Sequence, residues 1–192
     1  VSKRILLVED ESLIRLDISS ILQDNGYDVV GEASDGEKAV ELAFSLQPDL
    51  IIMDIKMPKL DGLKAGKIIS SKIDTPIILV TAYSQKEFVE KSKQANVVGY
   101  LVKPVSETNL LPAVEVALSQ AAKMKAMQEA VAEANEKVEK RKLVEKAKGL
   151  LMDKQSISEE EAYQKIRKFS MKHQLSMDQT AAKVIAKYNK DK

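Results

Sequence analysis

Five short aliphatic runs, at residues 5–8, 27–30, 50–53, 77–80 and 100–102, constrain this chain more than any other feature. Each is too short for a buried helix, and the first, third, fourth and fifth end directly in a polar side chain. Runs of this kind read as strands buried on both faces. The segments between them carry a different period. Leu13, Ile14, Ile18, Ile21 and Leu22 recur at helical spacing, and Gly26 supplies a stop. Asp35 stands at the N-cap position of a second helical pattern through Ala39, Val40, Ala43 and Leu46. Strands alternating with helices predict an α/β fold, and right-handed crossovers favour a doubly wound, five-stranded parallel sheet.

In such a sheet ligands gather outside the carboxyl ends of the strands. Glu9 and Asp10 follow the first run, Asp54 the third, Thr81 the fourth and Lys103 the fifth. Three carboxylates at neighbouring strand ends repel one another unless a cation joins them. An oxygen-only ligand set suits Mg²⁺, which also accepts phosphate oxygens. A carboxylate is a competent nucleophile toward phosphorus. The metal and the Lys103 ammonium would offset charge on the transferring group, and the Thr81 hydroxyl would hydrogen-bond it. Plainer readings stand beside these. Glu9 and Asp10 can cap the next helix, Thr81 can be a turn residue, and Tyr100 can be core packing.

Residues 3–120 resemble the receiver domains of two-component response regulators. The resemblance rests on Glu9-Asp10, on the loop Asp54-Ile55-Lys56-Met57-Pro58-Lys59-Leu60-Asp61-Gly62, on Thr81-Ala82, on Tyr100 and on Lys103-Pro104, all in order. It implies a flavodoxin-like fold with Asp54 as phosphoacceptor. Glu9, Asp10 and Asp54 would hold Mg²⁺, Thr81 and Tyr100 would switch, Lys103 would contact the phosphoryl group, and the Lys103–Pro104 bond would be cis. Lys56 and Tyr83 occupy positions that in that family tune phosphate lifetime, which the resemblance implies for them too. A sensor histidine kinase is the implied donor. No separate active-site constellation appears, so the chain reads as a regulator rather than an enzyme, its only chemistry being its own phosphorylation and hydrolysis.

Beyond residue 106 the character changes to long helix. Pro112 predicts a bend there or a later helix start. Leu110, Ala117, Met124, Val131 and Val138 form a heptad a series, ending at Glu145, with a weaker d series of Ala113, Gln120, Met127, Ala134 and Arg141. This predicts a short coiled coil and a homodimer on activation; the alternative is a single linker helix. Ser158 with Glu161, and Ser176 with Gln179, match the capping box and start two further helices. Their apolar stripes are Ala162, Tyr163, Ile166 and Phe169, then Thr180, Ala181, Val184, Ile185 and Tyr188. With Leu143, Ala147, Leu150 and Leu151 they predict a small three-helix all-α unit. Gly149 costs about 1 kcal/mol mid-helix relative to alanine, which suggests a close backbone approach. The expected division is 1–120, a linker at 121–142, and 143–192.

Charge follows this division. Residues 1–122 hold 13 Lys/Arg and 18 Asp/Glu, a balance of −5, and residues 123–192 hold 17 and 11, a balance of +6. The rear half therefore suits a polyanion, or is merely a solvated surface. Cysteine is absent, which excludes disulfides and thiolate metal sites and suits a cytoplasmic protein. No apolar run approaches the roughly 18 residues of a membrane span, so no membrane partner is expected.

The run Val144-Glu145-Lys146-Ala147-Lys148-Gly149-Leu150-Leu151-Met152, then Ser158, Glu161-Ala162-Tyr163, Arg167, Met171 and Ala181, resembles the ANTAR family. Ser170 stands where alanine is common. The whole arrangement is similar to the ethanolamine-utilisation antiterminator regulators. The resemblance implies binding of paired RNA stem-loops that compete with a terminator. Lys148, Arg167, Lys168 and Lys172 are candidate RNA contacts, with Tyr163 and His173 as further ones. A DNA-binding output and a protein-interaction output remain as alternatives.

Overall fold

The aliphatic runs at 5–8, 50–53 and 77–80 form the centre of one parallel sheet because each presents apolar side chains to both faces, and the runs at 27–30 and 100–102 add its two edges. In the computed structural model, which describes residues 2–82 and 96–189, the strands are β1 (Arg4–Val8), β2 (Asp28–Ala33), β3 (Leu50–Asp54), β4 (Ile77–Thr81) and β5 (Val97–Val102). Their order is β2-β1-β3-β4-β5 and every pairing is parallel. Tyr83 and the helix expected before the fifth strand lie outside the described residues.

Period-2 alternation sorts the strand residues into two cores. Ile5, Leu7, Leu50, Ile52, Ile78 and Val80 face one way. There they meet Ile18 and Leu22 of α1 (Ser12–Asp24) and Leu110, Val114 and Ala117 from the first turns of α4 (Glu107–Gln155). Leu6, Val8, Ile51, Met53, Ile77 and Leu79 face the other way. They meet Ala39 and Ala43 of α2 (Gly36–Leu46) and Ala65 and Ile69 of α3 (Gly62–Ser70). The sheet is thus doubly wound, as its sequence pattern predicts.

Helix ends follow local chemistry. Asp35 accepts from the Lys38 amide at the start of α2, and Gly26, at φ +83°, ends the turn after α1. The helix α4 begins at Glu107, ahead of Pro112, so the later start allowed by the sequence does not occur. Ser106 supports that start, its carbonyl accepting from the Leu110 amide at 2.9 Å.

The chain divides into two compact units, Val1–Lys125 and Ala126–Lys192. In the second, the end of α4 packs with α5 (Glu159–His173) and α6 (Met177–Asn189) around Ala147, Leu151, Ala162, Ile166 and Ala181. Both capping boxes form. Ser158 Oγ accepts from the Glu161 amide while Glu161 accepts from the Ser158 amide, and Ser176 and Gln179 do the same. Three expectations for this unit are corrected. Val144 rather than Leu143 joins the core. Tyr163 and Phe169 lie outside it, because the buried stripe of α5 runs Ala162, Ile166, Ser170 at four-residue spacing. Gly149 has no close neighbour, since a Cβ built there meets nothing within 4 Å.

Candidate functional site

Sheet register assembles the site. Val8 pairs with Met53, which puts Glu9 beside Asp54. Asp54 pairs with Val80, so Thr81 lies one residue further along. Thr81 pairs with Val102, which brings Lys103 to the same edge. Residues distant in sequence meet only because all five strands run in one direction.

The Lys103 ammonium lies 2.8 Å from Asp54 Oδ2 and 2.9 Å from Glu9, with Glu11 at 3.6 Å. Glu9, Asp54 and Thr81 are buried, and Asp10 is exposed. Burial pushes the Glu9 carboxyl above its usual range, opposed by the Lys103 hydrogen bond. Burial alone would depress Lys103, but its hydrogen bonds to Asp54 and Glu9 outweigh it and hold the ammonium above its ordinary value.

One carboxylate oxygen each from Glu9, Asp10 and Asp54 lies within 4.8 Å of the others. Three negative charges against one ammonium leave a local excess of anion. Glu9 Oε2 is buried and accepts no directed hydrogen bond among the described residues, although the ammonium stands 2.9 Å away. An all-oxygen donor set with a spare buried lone pair fits a hard divalent cation.

The loop after Asp54 is held on both sides. The Lys56 amide donates to Asp54 Oδ1 at 3.3 Å, and the Gly62 amide donates to the Ile55 carbonyl at 2.9 Å. A Cβ on Gly62 would collide with the Asp54 carbonyl oxygen, and one on Gly36 with the Leu60 carbonyl oxygen. Asp61 caps α3 by accepting from the Lys64 amide. Lys59, at φ +61°, reaches Asp35 at 2.7 Å. The hydrogen bond from Lys59 holds the Asp35 carboxyl below its usual range, and the same bond raises Lys59. Lys59, Asp61 and Gly62 stand in the motif by sequence, whereas the clamp from Lys59 to Asp35 exists only in the fold.

Tyr100 is half-buried against the second core, and its hydroxyl is buried without a partner among the described residues. The Lys103–Pro104 peptide bond is cis, as the resemblance implies.

In the second unit Arg167, Lys168 and Lys172 are exposed on α5. Lys148 differs from them. It is buried, 8% exposed, and its ammonium lies 2.9 Å from Glu145 and 2.7 Å from Glu159. Ser170 closes the turn after α5, donating to the Leu175 carbonyl at 2.6 Å while its own carbonyl accepts from the Leu175 amide at 3.1 Å.

Residues 5–115 match the response regulator receiver domain family, and residues 132–185 match the ANTAR domain family. The chain belongs to the response regulators that join a receiver domain to an ANTAR domain. Such an architecture is consistent with phosphorylation-regulated RNA binding and antitermination. The ANTAR match begins inside the stretch read as linker.

Among the relatives of this receiver–ANTAR chain is the transcriptional regulatory protein PdtaR of Mycobacterium tuberculosis. It is 45% identical over 185 residues, spanning 96% of this chain and 90% of PdtaR. The chemotaxis protein CheY of Bacillus subtilis is 39% identical over 121 residues, 62% of this chain and all of CheY. The N-terminal domain of a response regulator/sensory box/GGDEF protein from Carboxydothermus hydrogenoformans is 36% identical, with a TM-score of 0.57. It covers 62% of this chain and 95% of that one.

Proposed function

We propose that Asp54 accepts a phosphoryl group from a sensor histidine kinase, and that the phosphorylated chain dimerises and binds RNA stem-loops to cause transcription antitermination. The observation that carries the first step is the convergence of Glu9, Asp10 and Lys103 on Asp54. An Asp54 carboxylate oxygen attacks phosphorus as the bond to the donor nitrogen breaks and the electron pair leaves with the histidine. Lys103 moves from pairing with the free carboxylate to pairing with the phosphoryl oxygens. Glu9, Asp10 and Asp54 would hold Mg²⁺, which when bound neutralises charge on the transferring group. Thr81 donates its hydroxyl to the new phosphate, and Tyr100 follows by changing rotamer, since its buried hydroxyl gives up no hydrogen bond to a described residue. Water later hydrolyses the acyl-phosphate, so the chain's chemistry is confined to its own Asp54.

The heptad residues Met124, Val131 and Val138 are exposed in the single chain, as is Met127. That is the pattern of a seam awaiting a second copy. Two ANTAR units in one dimer would bind paired hairpins by effective concentration, without new contacts. Arg167, Lys168 and Lys172 supply the phosphate contacts. Lys148, with two carboxylates on it, holds the start of α5 against α4 instead. Among the described residues no helix is long and apolar enough to cross a membrane, and we take the protein to act in the cytoplasm.

Incubation with acetyl phosphate and Mg²⁺ tests the site assignment. Wild type should gain one acid-labile phosphate by intact mass, and Asp54→Asn none. Equal labelling of both would place the phosphoacceptor elsewhere.

A further inference from the structure

Helix α5 changes charge along its length. Glu159, Glu160 and Glu161 occupy its first turn, but residues 162–177 contain no carboxylate and carry Lys165, Arg167, Lys168 and Lys172. Four other lysines of this unit are tied to carboxylates: Lys137 to Glu133, Lys140 to Glu136, Lys142 to Glu139, and Lys148 to Glu145 and Glu159. Arg167, Lys168 and Lys172 have no such partner among the described residues. Their charge remains available to a polyanion.

Among these cations sits an aromatic pair. Phe169 is 43% exposed and absent from the three-helix core, although it stands three residues from buried Ile166. Its neighbour is His173, one turn further on and also exposed. The ring centroids are 4.1 Å apart with planes tilted by 34°. A single exposed apolar side chain is ordinary. An exposed phenyl ring braced by a second ring, within an acid-free basic stretch, is not. It offers an exposed π-face on a helix that also carries cations able to meet phosphates, the combination by which unpaired bases are held. A duplex keeps its base faces stacked inside, so the pair does not fit double-stranded DNA.

We propose that Phe169, braced by His173, is a stacking platform for an unpaired base of a hairpin loop, with Lys168 and Lys172 on the flanking phosphates. This rests on the RNA-binding reading and adds to it a site within α5. Because π-faces are common to all bases, the platform contributes affinity and orientation, and sequence choice arises elsewhere.

The test uses the full chain, treated with acetyl phosphate and Mg²⁺, in filter binding against tandem-hairpin RNAs with randomised loops. Phe169→Tyr keeps the ring and Phe169→Leu keeps only the bulk. The expected result is near-wild-type affinity for Phe169→Tyr and a loss of about fivefold or more for Phe169→Leu. Phe169→Leu should leave the salt dependence unchanged. Lys168→Gln should instead reduce the slope of log affinity against log salt by about 0.7–0.9. Wild-type affinity in Phe169→Leu overturns the platform and leaves the RNA reading intact. Equal weakening of both Phe169 variants with a lowered melting temperature assigns Phe169 a structural role and also overturns it. Failure of wild type to retain any of the RNAs overturns both proposals.

Discussion

At the scale of single residues, the site depends on groups that carry no charge as much as on those that do. Gly62 lies against the Asp54 carbonyl, and any side chain there must push β3 and the following loop apart. Gly62→Ala should therefore slow phosphorylation by acetyl phosphate and lower the melting temperature of the receiver. Unchanged labelling rates would show that the loop has more room than this packing allows. The clamp between Asp35 and Lys59 titrates in a defined direction. The Asp35 carboxyl is depressed by its hydrogen bond from Lys59, so its stabilisation is present above the ordinary carboxyl range. It is lost as pH falls through the lower, folded value. Asp35→Asn should flatten the acid limb of the receiver's stability curve in urea titrations at several pH values. An acid limb identical to wild type would mean that the clamp does not contribute. Such contacts were invisible in sequence. Asp35 and Lys59 are 24 residues apart, and only the fold brings the α2 cap onto the loop. Lys148 read as a free cation for the same reason, because its partner Glu159 arrives from another helix.

At the scale of elements, legibility followed periodicity. The three central strands announced themselves because both faces are apolar, and parallel register then converted strand-end residues into a cluster. Glu9, Asp54, Thr81 and Lys103 were legible for this reason, and again from the motif order that the receiver resemblance rests on. Amphipathic helices were read less well. In α5 the heavy aromatics suggested a stripe through Tyr163 and Phe169, whereas small residues at positions 162 and 170 set the buried face with Ile166. Close helix packing selects small side chains at the contact, and a hydrophobicity pattern undervalues them. Two substitutions probe these elements. Ile52→Ala in the fully buried β3 should cost about 2–5 kcal/mol in the receiver's unfolding transition. A cost under about 1 kcal/mol would contradict close packing at that position. Ser158→Ala removes the capping box of α5 and should cost about 1 kcal/mol in the second unit's transition. No change in its urea midpoint would show that the cap contributes nothing there.

At the scale of the whole molecule, an acidic receiver with carboxylates and an ammonium gathered at its strand ends is joined in one chain to a basic helical unit. The charge balance of −5 in the front portion and +6 in the rear suits two different tasks, a cation site and a polyanion surface. The exposed heptad residues of α4 are the proposed link between the two. If phosphorylation promotes pairing through that seam, Val131→Lys should keep the phosphorylated protein monomeric in analytical ultracentrifugation. It should also weaken tandem-hairpin binding more than single-hairpin binding. A dimer that persists in the variant would place the seam elsewhere. The central claim is that phosphate on Asp54 controls RNA binding by the ANTAR unit. Fluorescence anisotropy against a tandem-hairpin leader RNA and a duplex DNA of equal length, with and without acetyl phosphate and Mg²⁺, tests it directly. The account predicts tighter binding to the RNA on phosphorylation, no gain for Asp54→Asn, and weak binding to duplex throughout. Equal RNA affinity before and after phosphorylation, or preference for the duplex, would contradict it.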